Sequence, residues 1–364
     1  MTDDIDKRTA GLSHLRRAHL KKGEAVPLPL TMASMFHLPG DPAGVRQYGR
    51  YDNPTWEATE DALGHLEDAP CAVFPSGMGA ISAVFMATLR AGDRILVPSD
   101  GYYTTRLFAD RYLKGFGVTI DTRPTRAFSD GGFAGYRLVF IETPSNPGLD
   151  ICDIAGISAA AKTAGALVVA DNTTMTPLGQ RPLDLGADVV VSADTKAVNG
   201  HSDVLFGHVA TRNAKVLAAV KEWRKLSGAI PGPFEAWQVH RGLETLDVRF
   251  ERMCASAQVV AERLAERGFA TVYPGLEEHP SHNLARRQMR RFGFLIGVTL
   301  PSAEAAETFI ASCPLIQPAT SFGGTHTSAE RRARWGDAVA PGFVRLSVGC
   351  EPVEELWKAI EGAL

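Results

Sequence analysis

Leu167-Val168-Val169-Ala170-Asp171-Asn172-Thr173 and, further on, Val189-Val190-Val191-Ser192-Ala193-Asp194-Thr195-Lys196 each set a short, strongly apolar run before a cluster of polar residues. Runs without polar alternation are typical of strands buried on both faces of a parallel sheet. The polar clusters then emerge at the carboxyl ends of neighbouring strands, the edge where open α/β sheets bind ligands. A lysine at that edge can form a Schiff base with an aldehyde cofactor, and a carboxylate can pair with a pyridinium nitrogen and keep the ring an electron sink. Lys196 and Asp171 therefore read as a pyridoxal phosphate site. A solvated lysine and a turn aspartate account for the same two residues equally well.

The chain has 364 residues, 45% hydrophobic and 22% charged, enough for a sizeable core and two domains. A net charge of -3 and a pI near 6.4 give no electrostatic footprint for nucleic acid or an anionic membrane. The basic runs Arg286-Arg287-Gln288-Met289-Arg290-Arg291 and Arg331-Arg332-Ala333-Arg334 read as solvated faces. Five scattered cysteines, an odd number without metal-ligand spacing, read as reduced structural thiols. The first residues lack the basic and apolar regions of a signal peptide, and no apolar run is long enough to span a bilayer, so a cytoplasmic protein is expected.

Scattered Pro and Gly over residues 1–55 suggest an extended arm. Residues 56–233 alternate helical segments with the candidate strands Ala72–Phe74, Arg94–Val97, Leu138–Ile141, Leu167–Val169 and Val189–Val191, the pattern of a parallel, helix-covered sheet. Ala155–Thr163 reads as a helix closed by Gly165. Pro231-Gly232-Pro233 breaks the chain, and residues 234–364 read as a smaller α/β domain: one helix from Phe234 to about Arg267, strands near Leu295–Val298 and Val344–Val348, and a final helix from Val353. Phe74-Pro75-Ser76-Gly77-Met78-Gly79-Ala80-Ile81 passes from a strand end through small residues into an apolar helix. It suits either an anion cradle or a plain strand-to-helix turn.

Tyr48-Gly49-Arg50-Tyr51-Asp52-Asn53-Pro54-Thr55, Ser76-Gly77-Met78, Glu142-Thr143-Pro144-Ser145-Asn146-Pro147, Asp171-Asn172-Thr173 and Thr195-Lys196 occur in that order, followed by Asn199-Gly200-His201-Ser202-Asp203 and Arg345-Leu346-Ser347-Val348-Gly349. With these motifs the chain resembles, over nearly its whole length, the Cys/Met-metabolism pyridoxal phosphate enzymes, a group that includes cystathionine γ-lyase, cystathionine γ-synthase, cystathionine β-lyase and methionine γ-lyase. The resemblance implies the fold-type-I, aspartate aminotransferase-like architecture. It also implies a homotetramer built as a dimer of dimers, with the arm reaching into a neighbour's site.

Lys196 would carry the cofactor and then shuttle protons, and Asp171 would hold the pyridinium proton. Tyr102 would stack on the ring and accept a proton from the substrate amine, with Tyr103 as the alternative, because Tyr102-Tyr103-Thr104-Thr105-Arg106 is one residue shorter than the family pattern. Asn146 would lie near the phenolic oxygen and the substrate, and Thr173 beside the ring. Phosphate contacts would come from the Gly77 and Met78 amides, the Thr195 hydroxyl, Ser192, and Tyr48 with Arg50 of a neighbouring copy. Arg345 would grip the substrate α-carboxylate, assisted by Ser321.

Three departures stand out. Ala193 replaces the family's phosphate serine three residues before the lysine, with Ser192 a candidate substitute. Asp194 brings a negative charge next to Thr195, tolerable only if its side chain turns away. Thr325-His326-Thr327 replaces the glutamate common near the distal substrate arm in γ-lyases, and Gln47 replaces another acidic position. The expected reaction is γ-elimination on a sulfur amino acid, foremost L-cystathionine to L-cysteine, 2-oxobutanoate and ammonia. Cystathionine γ-synthase or O-acylhomoserine sulfhydrylase chemistry, methionine γ-lyase chemistry and a non-catalytic cofactor-binding role are the alternatives. His201 reads as structural, His208, His240, His279 and His282 lack ligand spacing, and Trp223 and Trp237 read as core or interface filling, so no metal is expected.

Overall fold

The computed structural model describes residues 2–364. Twelve strands form two sheets among the described residues. The larger comprises β1 (Cys71–Phe74), β2 (Arg94–Pro98), β3 (Thr119–Arg123), β4 (Leu138–Glu142), β5 (Leu167–Asp171), β6 (Val189–Ser192) and β7 (Gly207–Ala210), in the order β1-β7-β6-β5-β4-β2-β3. β7 is antiparallel to both of its neighbours, and every other pairing is parallel.

The apolar runs are explained by burial on both faces. Leu138 and Phe140 of β4 pack with Val169 of β5 in one cluster, whereas Val139 and Ile141 pack with Val168 and Ala170 in another on the opposite face. Each of these large side chains is almost fully buried, a gain of about 1.5–3 kcal/mol apiece. Helix Gly77–Thr88 joins the first cluster through Ala80, Ile81, Val84 and Phe85, and helix Ile154–Thr163 joins the second through Ile154, Ile157 and Ala161.

The second sheet comprises β8 (Ala270–Val272), β9 (Leu295–Thr299), β10 (Gln317–Pro318), β11 (Ser328–Arg331) and β12 (Phe343–Ser347), in the order β10-β11-β12-β9-β8. Helix Val353–Glu361 packs on it through Leu356, Trp357 and Ile360.

The structure differs from the sequence reading at four places. Residues 1–55 are not extended throughout: Thr2–Leu12 is a helix, and Ile5 and Leu12 bury against Trp56 and Leu63 of helix Pro54–Glu67. The expected helix from Phe234 to Arg267 is two helices, Pro233–Leu243 and Leu246–Glu266. The turn between them brings the Arg249 guanidinium onto the Ala197, Val198 and Gly242 carbonyls, just beyond Lys196. Helix Leu246–Glu266 gives Phe250 and Met253 to one apolar cluster and Ala257, Val260 and Leu264 to the next. β3 and β7 of the larger sheet, and β8, β10 and β11 of the second, have no counterpart among the expected strands. Finally, the basic runs are not simply solvated: Arg290 and Arg291 pair with Asp6 and Glu251, and Arg332 is buried. No helix is long and apolar enough to cross a membrane among the described residues.

Candidate active site

A cavity of about 350 Å³ opens at the carboxyl ends of β4, β5 and β6 and is closed from the other side by the second sheet. Asp171, the last residue of β5, is 7% exposed, and its Oδ1 accepts from Thr173 N at 3.0 Å and Thr173 Oγ1 at 2.5 Å. Burial pushes its carboxyl up, against the lowering effect of the two Thr173 bonds. Its register partner at the end of β4 is Glu142, whose Oε2 accepts from Tyr102 N at 2.6 Å and whose Oε1 accepts from Asn146 N at 2.9 Å. Burial, followed by the neighbouring Asp171 charge, pushes the Glu142 carboxyl up, against the lowering effect of the two backbone bonds. One carboxylate thus fixes both the tyrosine turn and the Asn146 loop.

Lys196 follows β6 through the turn Ala193–Lys196. Its Nζ donates to Ser321 Oγ at 2.9 Å and lies 4.8 Å from the centre of the Phe322 ring. Burial, then the positive field of Arg345, lowers the amine to about 8, opposed by Glu330. Ser321 and Phe322 arrive from the segment before β11. Gly323 is required there, because its φ is +80° and a Cβ would lie 2.6 Å from Ala197 N. Arg345 on β12 donates from Nη1 to Asn146 Oδ1 at 2.6 Å and from Nη2 to Thr320 O at 2.6 Å and Glu330 Oε2 at 3.2 Å.

At the other wall, Ser76 caps helix Gly77–Thr88 by accepting from Gly79 N at 3.0 Å. First-turn amides have no intrahelical partner, so those of Gly77 and Met78, two residues of the cavity wall, can serve an acceptor there together with the positive end of the helix dipole. Tyr102 and Tyr103 both line the cavity, their rings 5.5 Å apart and edge-on. Thr173 and Thr195 line it too. Thr173 Oγ1 accepts from Ala193 N at 2.9 Å, and Thr195 Oγ1 accepts from Phe206 N at 2.9 Å.

Three expected residues are not brought to the cavity wall. Ser192 is buried and absent from the lining, and its Oγ has no hydrogen-bond partner. Successive residues alternate sides at a strand end, and it is Ala193 that faces the cavity, against Gly77. Tyr48 and Arg50 lie elsewhere on the same chain, Arg50 donating to Lys225 O at 2.5 Å, with its guanidinium over the Tyr48 and Tyr51 rings. Gln47 and His326 do not line the cavity either.

Several lining or supporting residues escaped the sequence reading. Glu142 opens the motif Glu142–Pro147, in which the sequence assigns a role only to Asn146. Arg332 and Trp335 occupy the cavity wall. Glu330, fully enclosed, receives Arg332 Nη1 at 2.6 Å, Trp335 Nε1 at 2.5 Å and Arg345 Nη2 at 3.2 Å, while Asp337 receives Arg332 Nε at 2.8 Å. A basic run reads alike in sequence whether solvated or buried, so only these acidic partners reveal Arg332. Asp194 does turn away from the cavity, onto His208. No group of three His, Cys, Asp or Glu side chains suited to a metal ion occurs among the described residues.

The family model for Cys/Met metabolism PLP-dependent enzymes matches residues 13–364. A Streptomyces coelicolor protein provisionally named a cystathionine gamma-lyase is 49% identical over 347 residues, 93% of this chain and 88% of its own length. The L-methionine gamma-lyase of Treponema denticola is 35% identical, covering 93% of this chain and 92% of its own. Among solved structures, cystathionine gamma synthase from Xanthomonas oryzae pv. oryzae in complex with cystathionine superposes with a TM-score of 0.92 at 33% identity, over 98% of this chain and 97% of that one. The fold-type-I expectation is met. The residues present also fit pyridoxal phosphate on their own chemistry. A primary amine near pKa 8, a buried carboxylate one strand away and two helix-start amides on the opposite wall match an aldehyde, a ring nitrogen and a phosphate.

Proposed function

The chain belongs to the Cys/Met metabolism PLP-dependent enzymes and carries the carbon–sulfur lyase chemistry of that family, and on that premise we propose that it cleaves L-cystathionine by γ-elimination, giving L-cysteine, 2-oxobutanoate and ammonia with uptake of one water. The observation that carries this reading is the 49% identity, over 93% of the chain, to the Streptomyces coelicolor protein.

The bound cofactor supplies an aldehyde carbon that exchanges amines and a ring that delocalises the electron pair left when a proton departs. Asp171 holds the proton on the ring nitrogen, and that positive neighbour offsets the burial that otherwise raises its carboxyl. The Gly77 and Met78 amides would receive the phosphate, joined by the Thr195 hydroxyl if it turns from Phe206 O, and Tyr102 or Tyr103 would cover the ring. Thr173 braces Asp171 and the lysine turn together. Arg345, with Asn146 and Ser321 beside it, holds the substrate α-carboxylate and so fixes the direction of the Cα–H bond. Lys196 Nζ, its pKa lowered to about 8, would take that proton as a neutral amine and return one further along the substrate. Tyr48 and Arg50 would reach the phosphate of a second copy of the chain in a homotetramer, a reading compatible with their place away from their own cavity. The division into an arm over residues 1–55 and domains over 56–233 and 234–364 is part of the same reading. Five cysteines without a disulfide fit a cytoplasmic setting.

Cystathionine γ-synthase chemistry is the second reading, favoured by the close superposition on the Xanthomonas oryzae enzyme. Purified protein incubated with cystathionine alone, and separately with an O-acylhomoserine plus cysteine, separates them. Release of 2-oxobutanoate from cystathionine alone supports the lyase. No 2-oxobutanoate there, with cystathionine formed in the second incubation, refutes it in favour of the synthase.

A further inference from the structure

Behind the lysine turn, on the side away from the cavity, lies a buried cluster of carboxylate, imidazole and carboxylate. Both oxygens of Asp194 accept from His208 Nδ1, at 2.8 and 2.9 Å, and His208 Nε2 points toward Glu67 Oε1 at 3.4 Å. Asp194 and His208 are 0% exposed and Glu67 3%. A buried ion pair stabilises a fold poorly compared with apolar residues of the same volume, so its presence here calls for a reason other than stability.

The turn it touches has few other side-chain anchors. β6 ends at Ser192, whose hydroxyl is unpartnered, and Ala193 offers only a methyl group. Besides the bond from Ala193 N to Thr173 Oγ1, two ties hold the turn to the segment entering β7. Thr195 bonds to the main chain of Phe206, and Asp194 bonds to His208 two residues later. Asp194 O also accepts from Asn199 N at 2.9 Å, which carries the restraint past Lys196. Burial opposes a charge on His208, but the Asp194 charge and hydrogen bond, with Glu67 beyond, outweigh it and raise the imidazole to about 10. His208 is then held as the donor to Asp194, and this bond keeps the carboxylate turned away from a phosphate on the other side of the turn.

We propose that Asp194 and His208 are positioning residues for the cofactor: from behind, they lock the Ala193–Lys196 turn so that Thr195 Oγ1 and Lys196 Nζ face the Gly77 and Met78 amides, a task that a polar side chain at residue 193 would otherwise share. The inference rests on the placement of the cofactor at Lys196. His208→Asn and His208→Gln separate it from a purely structural role, because the amide nitrogen of Asn overlies imidazole Nδ1 and that of Gln overlies Nε2. H208N keeps the bond to Asp194, and H208Q keeps only the approach to Glu67. Apoenzyme is titrated with pyridoxal phosphate by absorbance, and the apoenzyme melting temperature is read in parallel. H208N holds its affinity within about threefold of the wild type and H208Q loses at least about tenfold, whatever either does to the melting temperature. Equal affinities for H208Q and H208N overturn the proposal. Should H208Q not fold, D194S, which shortens the acceptor out of reach of His208, gives the same reading: a loss of about tenfold supports the proposal and wild-type affinity overturns it. Wild-type apoenzyme that takes up no pyridoxal phosphate refutes the cofactor placement itself, a different failure from equal affinities among the variants.

Discussion

Replacing Arg345 by lysine keeps the charge and removes the fork, and the structure sets the size of the effect. A guanidinium has five N–H groups. Three are committed, to Asn146 Oδ1, Thr320 O and Glu330 Oε2, which leaves two for an incoming carboxylate. An ammonium has three, and all three acceptors already stand around it, so none remains for substrate. Two charge-assisted hydrogen bonds at about 1.5 kcal/mol each amount to about 3 kcal/mol, on the order of 100-fold in kcat/KM. Because the α-carboxylate is held in the ground state as well as in the transition state, KM takes most of the loss. Steady-state kinetics of R345K on the sulfur amino acid that the wild type turns over, with cofactor content measured to show that the site is loaded, provide the assay. A kcat/KM within about threefold of the wild type refutes the assignment of Arg345 as the carboxylate grip.

Three further outcomes follow from the same geometry. Lys196 attacks the cofactor aldehyde as a neutral amine, and its pKa falls from 10.5 to about 8, so the rate of pyridoxal phosphate incorporation into apoenzyme rises with pH and levels off just above 8; a rise continuing past 10 shows an unshifted lysine. Gly77→Ala places a methyl 2.5 Å from Ala193 Cβ and 2.9 Å from its Cα, and overpacking of about 1–3 kcal/mol pries the helix start from the lysine turn. Absorbance titration of that variant shows weaker cofactor binding, and wild-type affinity contradicts the cradle. Lys196→Ala and Arg50→Ala proteins, each inactive alone, regain about one quarter of wild-type activity when refolded together, because half of randomly paired dimers are mixed and each has one complete site. No recovery on mixing contradicts the shared site.

The positions of Asp171 and Lys196 were readable because β5 and β6 are buried on both faces and their sequences consist almost wholly of β-branched and other apolar residues. β3 was not, since Thr119–Arg123 is a partly exposed edge strand of mixed polarity, and β7 was not, since Gly-His-Val-Ala is four residues long and starts with glycine. The loss of β7 from the reading also hid His208, which stands opposite Ser192 in register and explains where the Asp194 carboxylate goes. Helix Thr2–Leu12 was hidden by its polar composition, with Ile5 and Leu12 as its buried contacts. Arg332 was mistaken for solvated because its partners, Glu330 and Asp337, define a buried network only once β11 and the turn after it are folded. Motif order pointed to most of the residues that line the cavity, whereas side-chain direction at the ends of strands, as at Ser192 and Ala193, required the three-dimensional register.

The most direct measurement is borohydride reduction of the pyridoxal phosphate-loaded protein, followed by proteolysis and mass spectrometry. The account predicts a phosphopyridoxyl group on the peptide that contains Lys196, and none after Lys196→Ala. A label on another lysine, or undiminished labelling of the alanine variant, contradicts it.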